Sequence, residues 1–236
     1  MLSYDEFKRD LRSAGIGFGV LILFYLSNFF IDIPFNVFGS SITDLSLVYR
    51  IIYIITYQFI FASILFFIYR KKLTKDFIDF KKNKTAYFKK YFKLWFLMIF
   101  LVIFFNGIIT LITNGQIANN EQGVRDLFNK SPIYVYIASV VIAPFVEEIV
   151  FRLSIRKIFK TKILFIIMSG IVFGFAHIFG QVEVLTDYLF FIPYAVPGVV
   201  FAYIFADSDN LFNSVFMHMF HNGLLIGLQF LVLFLM

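Results

Sequence analysis

Two adjacent carboxylates, Glu147 and Glu148, stand in the otherwise apolar stretch IAPFVEEIVFRLSIR, Ile142 to Arg156, with Arg152 close behind them. Read as a helix inside a membrane, this stretch is costly. A charge near the bilayer centre costs at least about 2.5 to 3.5 kcal/mol even on the lenient insertion scales, so an ionisable group placed there is a functional candidate by default. Glu148 and Arg152 have the i,i+4 spacing that stacks two side chains on one helix face, so each can neutralise the other. Glu147 points about 100° away from Glu148 at 3.6 residues per turn. It is left to face something else.

Two further helices bring groups that fit beside it. FGFAH ends at His177, and HMFHN carries His218 and Asn222 at i,i+4, with His221 as an additional histidine expected only to pack. A carboxylate, two imidazoles and an amide in a low-dielectric pocket are the parts for hydrolysis of an amide bond by water. Glu147 would be the general base, with His177 orienting the water. His218 and Asn222 would donate to the oxyanion of the tetrahedral intermediate. The same residues allow a second reading. Glu147, His177 and His218 make a two-histidine, one-carboxylate set of the kind that holds a catalytic zinc, although no HExxH is present.

The elements that must hold these groups are read from composition and periodicity. Of the 236 residues 60% are hydrophobic and only 15% charged, which excludes a soluble domain and points to an all-α polytopic membrane protein. With no cysteine, disulfides, thiolate metal sites and cysteine nucleophiles are excluded. Seven apolar spans are expected, roughly Ile16 to Ile33, Ile51 to Tyr69, Leu94 to Ile112, Ile133 to Ile155, Ile163 to Phe179, Val184 to Ala206 and Leu211 to Met236, each near the ~20 residues a bilayer needs. Spans four to seven would form the catalytic bundle. Three of the 21 Lys and Arg precede the first span, ten lie between Arg70 and Lys93, and four between Arg156 and Lys162. All these fall on one side if the spans alternate. The positive-inside rule then gives a cytoplasmic N-terminus and an outside C-terminus.

The basic 70–93 stretch is expected as a cytoplasmic loop lying on anionic lipid rather than on nucleic acid. Ser131-Pro132 is a helix start, Pro144 should kink the helix before the glutamates, and Glu121 to Phe128 has the pattern of a short surface helix. Residue 162, in the basic turn, is midway between Glu147 and His177. An antiparallel hairpin turning there puts both at one depth, about 20 Å along their helices. His218 and Asn222 come to a similar level, so a shared chamber reachable from the cytosol is expected.

At EEIVFR, FGFAH and HMFHN the chain resembles the CAAX-protease and bacteriocin-processing family, also called the Abi family or the type II CAAX prenyl endopeptidases, whose motifs are EExxxR, FxxxH and HxxxN. The resemblance covers about Ile133 to Gly227. It implies an integral membrane endopeptidase cleaving near the cytoplasmic face, with Glu147 and His177 activating water, His218 and Asn222 stabilising the oxyanion, and Glu148 and Arg152 in support. Family members are described both as metalloproteases and as metal-free glutamate enzymes, so a divalent metal such as zinc stays open. Residue usage rich in Phe, Ile and Lys fits a bacterial relative, for which the implied substrate is a membrane-associated peptide or protein such as a leader peptide or a signalling-peptide precursor.

The organisation expected is an N-terminal membrane region at 1–131, a catalytic core at 132–228, and the end of the last span at 229–236. The competing function is a non-catalytic membrane scaffold or immunity protein that binds a partner through its helices. Neither reading involves nucleic acid.

Overall fold

A computed structural model describes residues 4–235. Among them every regular element is helical. We number the principal helices α1 (Tyr4–Phe30), α2 (Leu47–Ile112), α3 (Asn119–Lys130), α4 (Pro132–Ile158), α5 (Lys162–Ile178), α6 (Phe191–Ser208) and α7 (Leu211–Leu235). Short turns occupy Ile33–Val37, Ile42–Asp44 and Leu185–Phe190.

Five helices among the described residues are long and apolar enough to cross a membrane, where seven spans were expected. The difference has two sources. The expected second and third spans, with the basic 70–93 stretch between them, are one 66-residue helix, and α5 has only 17 residues. Lysines were read as a loop signal, but lysine is a good helix former. No proline interrupts α2, and Lys72 with Asp76 and Asp79 with Asn83 make i,i+4 contacts within the basic stretch.

This helix folds back on itself. Straight, it would be about 99 Å long. Near one end Tyr57 donates to the Ser27 carbonyl, and Tyr25, two residues earlier in α1, packs its ring 5.9 Å from that of Phe179. Near the other end Ile109 packs with Ile178, the neighbour of Phe179. Both ends of α2 therefore stand at one level, and the basic middle passes the opposite end of the bundle.

That opposite end gathers the positive charge. Lys90 and Lys162 both reach Asp207, at 2.8 and 3.7 Å, Lys72 reaches Asp209 at 3.2 Å, and Lys160 lies 3.6 Å from Asp10 of α1. The turn from α6 to α7 sits among them, with Asp209 in the left-handed conformation (φ 46°) that aspartate tolerates better than most residues. Arg125 and Lys130 are on α3, away from this end.

The same end fixes the start of α7. Asn210 caps it through the Phe212 N–H at 2.9 Å, and buried Asp76 of α2 accepts the Leu211 N–H at 2.9 Å. A carboxylate on the first turn of a helix satisfies an orphan donor and meets the positive end of the dipole. Asp76→Ala should cost about 1 to 2 kcal/mol by loss of this cap, and Asp76→Asn, which keeps an acceptor oxygen, should cost less. Unfolding temperature in detergent checks both.

The main core joins Leu65, Tyr69 and Leu73 of α2 to Ile149, Val150 and Phe151 of α4, Phe165 and Phe173 of α5, and Phe205 of α6. The closest helix approach is between α5 and α6. A Cβ on Gly170 would overlap Val199, and one on Gly174 would press on the Phe191 ring at 2.9 Å. Small residues four apart allow backbones to close up where lipid gives no hydrophobic drive to pack.

Candidate active site

The carboxylates stand where α4 is most irregular. Two wide turns, Ile137–Ile142 and Ile149–Ser154, have i→i+5 geometry and flank the ordinary turn Ala143–Glu148. Turns of this kind recur at functional positions because they re-aim side chains without ending the helix. The first also explains where Asn222 goes. The Ala143 N–H bonds to Ala138 O, five residues back. Residue 144 is proline and has no N–H to give. Ser139 O is thus denied both the i+4 and the i+5 donor, and Asn222 Nδ2 supplies one at 2.8 Å.

Glu148 and Arg152 are fully enclosed, with no exposed surface. Arg152 Nε donates to Glu148 Oε2 at 2.8 Å and its Nη2 to Oε1 at 3.0 Å, a two-pronged pairing that uses the planar guanidinium fully. Its Nη1 donates to Ser169 Oγ at 2.5 Å, Ser169 passes the bond to Phe151 O at 2.7 Å, and the guanidinium lies 5.0 Å from the Phe173 ring centre. Burial without water is tolerable because these groups have partners.

The second oxygen contact of Glu148 leads into the site. His218 Nδ1 lies 3.1 Å from Glu148 Oε1, and the other ring nitrogen, Nε2, is 3.7 Å from Glu147 Oε2. A carboxylate only accepts, so His218 is protonated on Nδ1. Its ring stacks on Phe201 at 4.6 Å and 23°. At 3.7 Å a bridging water fits the Glu147 contact better than a direct bond.

His177 is held separately. Its Nδ1 is 2.9 Å from Phe173 O, a carbonyl that only accepts, so in the neutral ring Nε2 carries the lone pair. Tyr194 stacks on the ring at 4.7 Å and 22°, and Asn120 of α3 reaches the Tyr194 hydroxyl at 3.3 Å. The Phe173 ring touches both imidazoles, at 4.4 Å from His177 and 5.9 Å from His218. Glu147, His177, His218 and Asn222 all line one cavity of about 770 Å³.

Among the described residues no three His, Asp or Glu side chains converge as a metal would require. Glu147, His177 and His218 line the same cavity without forming such a group in this arrangement. His221, expected only to pack, also reaches the cavity wall, and its buried Nδ1 has no hydrogen-bond partner among the described residues.

The direction of the cavity corrects the expectation of a chamber open to the basic end. From His218 it runs along α7 past Leu225 and Gln229 to Leu233, and its roof is α3, with Asn120, Glu121, Arg125 and Asn129. Depth and access are separate properties: the hairpin count placed the glutamates nearer the basic turn, but nothing in it said which way the helices splay.

The chain's sequence from 129 to 224, spanning EEIVFR, FGFAH and HMFHN, matches the model of the family described as type II CAAX prenyl endopeptidase Rce1-like. That match covers about two fifths of the chain, and over it the chain is similar to the CAAX-protease and bacteriocin-processing family. The chain is also similar to the Bacillus subtilis (strain 168) protein named "Putative membrane peptidase YdiL", at 26% identity over 118 residues, or 49% of this chain and 45% of that protein. The chain thus spans about half the length of the curated relative it matches. No solved structure matches it. The matched region includes groups that motif reading passed over: Ser139, Ser169, Tyr194 and Phe201 each fix a motif residue. The Ser169-Gly170 pair with Gly174 was the legible hint, since small residues at this spacing mark a tight helix contact.

Proposed function

We propose that this protein is an intramembrane endopeptidase that hydrolyses a peptide bond in a membrane-associated peptide or protein, with Glu147 as the base. The observation that carries this reading is the pairing of roles at the two glutamates: Glu148 is enclosed and neutralised by Arg152, while Glu147 faces the cavity with His218 Nε2 at 3.7 Å. One carboxylate builds the site and the other is left to react.

In this reading Glu147 takes a proton from a water that His177 Nε2 also holds, and the resulting hydroxide adds to the substrate carbonyl. As an imidazolium, His218 donates from both nitrogens, Nδ1 to Glu148 and Nε2 to the oxyanion. Asn222 gives one N–H to Ser139 and offers the second to the oxyanion. As the tetrahedral intermediate collapses, the C–N bond breaks and Glu147 returns its proton to the leaving amine.

Peptide profiling of membranes from cells carrying the parental protein or Glu147→Gln tests this and names the substrate. The metal reading has its own test. Cleavage by purified protein after chelation, with metal content measured alongside, is expected to continue at the parental rate; a loss restored by zinc would return Glu147, His177 and His218 to the role of ligands. The scaffold reading predicts instead that Glu147→Gln retains both the partner and the full phenotype.

A further inference from the structure

We propose that the substrate reaches this site from the extracytoplasmic face, as an extended segment of an exported polypeptide threaded beneath α3. The inference rests on the peptidase reading for its chemistry but on independent observations for its direction.

Three groups of bases meet at one end of the bundle, through Lys160 to Asp10, through Lys90 and Lys162 to Asp207, and through Lys72 to Asp209. They belong to the basic stretches that hold 17 of the 21 Lys and Arg. Such an end stays in the cytoplasm. The cavity leads away from it. α7 starts at the basic end with Leu211, and the cavity follows this helix from His218 to Leu233. The roof helix α3 is tied at the same far end, by Asn119 to the Gln181 carbonyl at 2.7 Å and by the Phe128 ring to Phe230 at 4.9 Å. With the basic end inside, roof and opening face outward.

The lining states what the occupant is. From His218 to Leu233 is about 22 Å of helix, which an extended chain of about six or seven residues covers. On the α7 side the wall is largely apolar, with Leu225, Leu228 and Val232. The roof side is mixed: Val124 and Phe128 stand beside Asn120, an ion-paired Glu121 and Arg125 at 2.9 Å, and Asn129. A chain with side chains alternating to two faces meets an apolar wall on one side and a more polar roof on the other. Asn120 also holds the Tyr194 hydroxyl, and Tyr194 stacks on His177, so a segment under the roof touches the support of the water-binding imidazole.

The chain has no cysteine, so single-cysteine variants report accessibility cleanly. Gln229→Cys and Asn129→Cys lie in the cavity lining, and Lys84→Cys lies in the exposed basic stretch. A membrane-impermeant maleimide applied to intact cells, and separately to inverted vesicles, is expected to label the two cavity positions only in intact cells and Lys84→Cys only in inverted vesicles. The reverse pattern, or no labelling of either cavity position from outside, overturns the proposal. Labelling does not depend on cleavage, so an inert Glu147 would sink the peptidase reading alone.

Discussion

Glu147→Gln is expected to abolish peptide release while the protein still inserts and folds. The substitution keeps the shape of the side chain and removes only its capacity to take a proton. General-base catalysis contributes roughly 10² to 10⁴ in rate, so the variant should fall by at least about 100-fold. Little stability should be lost with it. The side chain of Glu147 remains 18% exposed, on the cavity side, and its ionic neighbour His218 is 3.7 Å away, so no enclosed bond is broken. The decisive comparison pairs peptide profiles with unfolding temperature in the same preparations. A variant that folds as the parent does and still releases the parental peptides at the parental rate would falsify the proposed mechanism. A loss of activity that comes with unfolding would leave Glu147 as a structural residue.

What could be read from the sequence was whatever a helical period controls. Glu148 meets Arg152 and Glu147 faces elsewhere, as the helical period led one to expect, although the turn Ile149–Ser154 that joins the pair is a wide one. Pro132 opens α4 because a first-turn proline gives up only an N–H that would be orphaned anyway. The surface helix expected at Glu121 to Phe128 extends to Asn119–Lys130. What escaped was set by contacts across the bundle. The basic 70–93 stretch was read as a loop from its charge, yet helix propensity holds it in α2, which packs along its length against α6 and α7. The bond from Asn222 to Ser139 was invisible because it needs two facts at once, a proline at 144 and a wide turn before it. The same holds for the way the cavity opens, which depends on where α3 lies over α7 and on no local pattern.

Arg152→Met should be the most damaging single change to the fold, and its partner experiment shows why. Removing the guanidinium leaves the Glu148 carboxylate fully enclosed, with only His218 of its present side-chain partners, and breaking a buried pair in this way costs about 3 to 5 kcal/mol. The loss should appear as a marked fall in unfolding temperature in detergent and in the amount of protein recovered from membranes. Glu148→Leu combined with Arg152→Met removes both charges and fills the space with apolar atoms, so it should regain most of the lost stability. Ser169 tolerates the change, since its hydroxyl already donates to Phe151 O. His218 does not. Its Nδ1 loses the acceptor that sets the tautomer, and Nε2 is no longer held for an oxyanion, so the double variant should fold and remain inactive. Stability recovered without activity separates the two jobs of Glu148, neutralising Arg152 and aiming His218. Were Arg152→Met to unfold at the parental temperature, the pair would not be enclosed as described. Were the double variant to cleave at the parental rate, His218 would need no orienting carboxylate, and the division of labour between the two glutamates would fail.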